Sequence, residues 1–113
     1  MGADVSIDYR DSRESVWISL APQSWLREHW LPIAQARNWL WVQSICDNTC
    51  QAKEPEDLSA LLAEMRALKD EVATGVTDPE LAEAMSDRLE RAIAALALEE
   101  GTGWRSVDYL SIG

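Results

Sequence analysis

The chain contains no phenylalanine and a single histidine, His29. One imidazole is a thin basis for acid–base catalysis or for a zinc centre. His29 follows Glu28, but sequence neighbours on a helix do not face each other, so a partly buried structural histidine is the preferred reading. Cysteine is equally scarce, with Cys46 and Cys50 alone. A structural zinc site takes four Cys/His ligands at paired spacings, and these three residues do not make one. Metal and cofactor are both expected to be absent, and the thiols are expected to be free. No apolar run approaches the roughly 20 residues of a membrane span. The N-terminal segment carries Asp4 and Asp8 rather than a basic stretch and an apolar core, so no signal peptide is read and a cytoplasmic location is expected. Met1-Gly2-Ala3-Asp4-Val5-Ser6 fits the loose myristoylation pattern. A lone acyl chain without basic residues anchors weakly, and a short lead into a strand is preferred, with no membrane partner. A Gly-rich phosphate loop and a nucleophile elbow are also missing, and no catalytic residues are assigned.

Positive charge is the other shortage. Ten Lys and Arg stand against 20 Asp and Glu, for a net charge of −10 over 113 residues. Nucleic-acid phosphates would be repelled, which argues against direct binding to nucleic acid. The same charge steers association with a basic partner. It is unevenly placed: residues 1–50 hold six acids and four bases, residues 51–113 fourteen acids and six bases.

Most of that acid lies in Pro55–Leu98, which reads as two amphipathic helices in antiparallel hairpin. Pro55 suits a first helical turn, with Glu56 and Asp57 at the positive end of the helix dipole. Leu58, Leu61, Leu62, Met65, Leu68 and Val72 recur at spacings of three and four, with Glu64, Lys69, Asp70 and Glu71 on the opposite face. Gly75 is a C-terminal stop. Asp78 is a candidate N-cap before Pro79. Leu81, Met85, Leu89, Ile93 and Leu96 continue the helical period, and Gly101 ends it.

Val5, Ile7 and Tyr9 alternate with polar residues, as do Val16, Ile18 and Leu20, so residues 4–10 and 15–21 read as a β-hairpin. A lone hairpin is marginal in water, and the segment Trp104–Ile112 offers a third strand, with a candidate bulge at Tyr109-Leu110. Between them, Trp25, Leu26, Trp30, Ile33 and Ala34 fit one helical face, where Pro32 demands a kink or a break. Asn38 breaks the pattern; residues 39–46 are apolar enough for a strand but are read as a short helix, and residues 47–54 as a loop. The fold class expected is α+β in a single domain of residues 1–113: a small antiparallel sheet, made of the N-terminal hairpin and a C-terminal strand, packed on a layer of helices that ends in the helical hairpin.

Tryptophan is the excess that balances the missing phenylalanine. Six are present: Trp17, Trp25, Trp30, Trp39, Trp41 and Trp104. So small a chain has little core to hide them all. Trp17 alternates out of phase with Val16 and Ile18, and Trp39 and Trp41 fall in an irregular stretch. Aromatic anchors beside acids characterise protein-binding surfaces. Glu80, Glu83, Asp87 and Glu90 recur at helical spacing and supply the acids, although a merely solvated helix face would look the same. The partner-binding residues expected are therefore Trp17, Trp39, Trp41, Glu80, Glu83, Asp87 and Glu90.

In size and charge the chain resembles the small acidic immunity proteins, antitoxins and inhibitors of bacterial type, including mimics of nucleic acid. That likeness implies a non-enzymatic protein that occludes a basic partner such as a toxin or nuclease. The alternatives are a subunit of a homodimer or hetero-oligomer, and a small ligand-binding domain or enzyme with a tryptophan-lined pocket near His29.

Overall fold

A computed structural model describes residues 2–11, 14–47, 50–101 and 107–113. The fold is α+β. Strand β1 (Ala3–Tyr9) and β2 (Val16–Ala21) form the hairpin. A helical run follows as α1 (Gln23–Trp25), a π-helical segment (Leu26–Trp30) and α2 (Leu31–Arg37). Helix α3 (Leu40–Asp47), strand β3 (Cys50–Ala52), the long helices α4 (Pro55–Gly75) and α5 (Pro79–Gly101), and strand β4 (Val107–Ile112) complete it.

The sheet runs in the order β2-β1-β4-β3, with every pair antiparallel. The C-terminal strand expected from alternation is therefore central, with Val5 opposite Ile112 and Ile7 opposite Leu110. Its proposed start at Trp104 lies outside the described residues, as do Ser12 and Arg13 of the hairpin turn. The irregularity falls slightly earlier than expected. Asp8 pairs with Tyr109 and Tyr9 with Val107, so Asp108 is the extra residue. The loop reading of residues 47–54 is corrected by β3. Cys50 and Ala52 are buried and Gln51 is exposed, a true alternation too short for its period to register.

Pro32 does not end its helix. The N–H of Leu31 reaches back five residues to the carbonyl of Leu26, and this wider turn absorbs the missing donor and the crowding that proline brings to an α-helix. The run stops at Asn38, whose backbone is left-handed (φ 58°), a conformation asparagine tolerates better than most residues. Both long helices are capped at the N-terminus, α5 by Asp78 as expected and α4 by Asp57, which was expected there only for the helix dipole. Asp57 accepts the N–H groups of Lys53 and Glu54. Asp78 accepts those of Glu80 and Leu81.

One core joins the layers. Val5, Ile7, Leu20, Leu110 and Ile112 from the sheet meet Leu58, Leu61, Leu62, Met65, Leu68 and Val72 of α4 and Met85, Leu89 and Leu96 of α5. The opposite face of the sheet carries Asp4, Ser6, Asp8, Trp17, Ser19 and Tyr109, all half-buried or exposed. The close approach at its edge explains Gly2. A Cβ there would lie 2.0 Å from the carbonyl oxygen of Ala21, and only glycine fits so near another backbone.

Candidate functional site

Trp17 stands on the outer edge strand, opposite Ser6 of β1. Its side chain points away from Val16 and Ile18, as the alternation required, and is 68% exposed. Helix α5 is fixed beside it by Arg88. That guanidinium donates to the carbonyl oxygen of Ser19 at 3.3 Å and to its Oγ at 3.2 Å. It also lies 5.9 Å from the ring centre of Trp25, within cation–π range. The result is an open cavity of about 520 Å³ walled by Trp17, Ile18, Ser19, Arg88 and Arg91.

Arg91 belongs to a second set as well. It pairs with Asp87 at 3.2 Å, and Asp87 lines the next cavity along α5 with Glu80, Glu83 and Ala84. Spacings of three and four put these residues on one side of the helix. All three carboxylates of this cavity are exposed, and Glu80 and Glu83 form no ion pair among the described residues. The exposed indole, beside Arg88 and Arg91, and the row of acids thus occupy neighbouring cavities, linked by the Arg91–Asp87 pair. Glu90 stands apart from that cavity and pairs with Lys69 of α4 at 3.7 Å.

The other expected anchors are placed differently. Trp39 and Trp41 are half-buried and pack against the core. Glu64, read from its spacing as a solvent-facing residue of α4, instead turns to α3. Its Oε1 accepts the N–H of Val42 at 3.1 Å, and the Trp41 backbone also donates to this carboxylate. Burial pushes the Glu64 carboxyl above its ordinary value, and the two backbone donors work against that shift. His29 is half-buried on the π-helical segment and lines neither of the two cavities. Helix α3 ends at Asp47, before Cys50, so the two thiols do not share a helix face. Both are free. Burial pushes Cys46 up to about 11 and Cys50 up to about 12, so neither is a nucleophile near neutral pH. No group of three metal-binding side chains occurs among the described residues. Among the described residues, no helix is long and apolar enough to cross a membrane.

The sequence analysis singled out neither Arg88 and Arg91 nor Glu99. Glu99 is 5% exposed, with Tyr9 donating to its Oε1 at 2.7 Å. The signal was present, since Glu99 follows the buried positions Leu89, Ala92 and Leu96 at helical spacing. An acid in the apolar stripe announces a buried partner. Comparison with protein-family models, curated proteins and solved structures returned no match.

Proposed function

We propose that this chain is a non-enzymatic binding protein that neutralises a basic protein partner by occlusion, in the manner of an immunity protein, antitoxin or inhibitor. The observation that carries this reading is the neighbouring position of the exposed Trp17 and the carboxylates of Glu80, Glu83 and Asp87. Trp17 acts as the anchor that fills an apolar pocket of the partner. The acids of α5 complement Arg and Lys around that pocket, as in the active cleft of a nuclease or similar toxin. Such a face discriminates partners chiefly through charge, so the acids govern encounter and the indole governs residence.

The test is capture of partners from native lysate on the immobilised full chain, followed by kinetics with the recovered protein. Trp17→Ala should raise the dissociation rate by about tenfold or more, as a hot-spot aromatic does. The double variant Glu80→Lys/Glu83→Lys should lower the association rate and flatten its salt dependence. Both variants should keep the wild-type circular dichroism, because exposed charges and an exposed indole contribute little to folding. A partner that binds both variants as it binds the wild type contradicts the proposal.

A further inference from the structure

The same face is complementary to itself. Along α5 its acids Glu80 and Glu83 lie towards the N-terminal end and its bases Arg88 and Arg91 towards the C-terminal end, about 16 Å apart at the extremes. A two-fold axis crossing the helix between Met85 and Ser86 reverses that order. It sets Glu80 opposite Arg91 of a second copy, Glu83 opposite Arg88, and the small Ala84 opposite Asp87. Within this set Glu80 and Glu83 each face a base, and Asp87, which falls one residue from the other copy's Glu83, has its charge offset by its own Arg91 at 3.2 Å. An isologous contact requires that each such pairing occur twice, and the spacing in the sequence provides it.

The aromatic completes the fit. Trp17 projects beside Arg88 and Arg91, so the two-fold carries it towards the other copy's cavity of about 400 Å³, rimmed by Glu80, Glu83 and Asp87 and containing Ala84. We infer that the chain forms a homodimer through antiparallel contact of its α5 faces, with Trp17 of each protomer seated in the acid-rimmed cavity of the other. The contact involves three helical turns and one tryptophan from each side, at the small end of specific interfaces, so the dimer is a weak one. Its electrostatics are mixed. Two chains of net charge −10 repel at long range, whereas the opposed pairs attract at short range. Moderate salt therefore favours the dimer by screening the first effect more than the second. The inference does not depend on the existence of a basic partner; such a partner would compete with the second copy for this face.

The experiment is sedimentation of purified full chains with no partner present, over a range of concentrations near physiological salt. The wild type should dimerise reversibly. Glu80→Arg creates two Arg–Arg contacts per dimer, and Arg91→Glu creates two Glu–Glu contacts, so each variant alone should associate about tenfold or more weakly. Mixing the two variants should restore association to near wild-type strength, because the heterodimer regains opposite charges at both contacts. Trp17→Ala should weaken the dimer without altering thermal unfolding of the monomer. Mixing Glu80→Arg with Arg10→Glu, a reversal just past the end of β1, should rescue the Glu80→Arg chains no better than mixing them with the wild type does. The inference is overturned if the wild type stays monomeric throughout, if the single variants dimerise like the wild type, or if mixing them restores nothing. None of these outcomes bears on capture of a basic partner.

Discussion

Glu64 carries two opposed effects in one side chain. Burial against α3 disfavours its charge, while the N–H groups of Trp41 and Val42 favour it, and the balance leaves the carboxyl above its ordinary value. A folded value raised above the unfolded one means that the folded state binds the proton more tightly. The contribution to stability is therefore complete below the ordinary carboxyl range and is lost as pH rises through the raised value. Glu64→Gln keeps an acceptor for the α3 amides and removes that dependence. In urea unfolding at pH 4 and pH 7, the difference between wild type and Glu64→Gln should shift in favour of the Gln chain at the higher pH. Glu64→Ala removes the cap altogether and should cost about 1 kcal/mol at pH 4, and less at pH 7, where the wild type has lost its pH-dependent contribution. A Gln variant that loses as much as the Ala variant would show that the charge itself holds α3.

At the scale of elements, β4 determines whether the sheet exists. It is hydrogen-bonded on both sides, to β1 and to β3, and buries Val107, Leu110 and Ile112 completely. At roughly 1.5–3 kcal/mol for each buried aliphatic side chain, its removal approaches the whole stability of a small protein. A chain ending before residue 104 should show no cooperative melting by circular dichroism, whereas a retained transition would place the stability in the helices alone. This strand was legible because its alternation breaks at only one point. The helical hairpin was legible too, since Pro55, Gly75, Asp78 and Pro79 mark its boundaries and leucines mark its core. Periodicity failed where a segment was too short to show it, as in Cys50–Ala52. It also failed where a side chain served another element, as Glu64 serves α3. For the site, the exposure of Trp17 followed from phase. Its meeting with α5 did not, because that contact depends on Arg88 reaching 69 residues back to Ser19.

Across the whole molecule, which measures 43 × 25 × 25 Å, the long helices lie against one side of a four-stranded sheet. The acid-rich half of the chain thereby lies beside the N-terminal hairpin, which supplies Trp17. An acidic surface raises encounter rates with any basic protein, and in the proposed function Trp17 gives that attraction a location. The proposed contact face is formed by β2 and the first half of α5, and Trp39 and Trp41, half-buried against the core, lie outside it. Amide hydrogen exchange of the full chain, with and without the captured basic partner, tests this most directly. The predicted result is added protection in residues 16–21 and 79–91, with exchange in residues 39–46 unchanged. Protection confined to α2 and α3, with β2 and α5 unaffected, would contradict it.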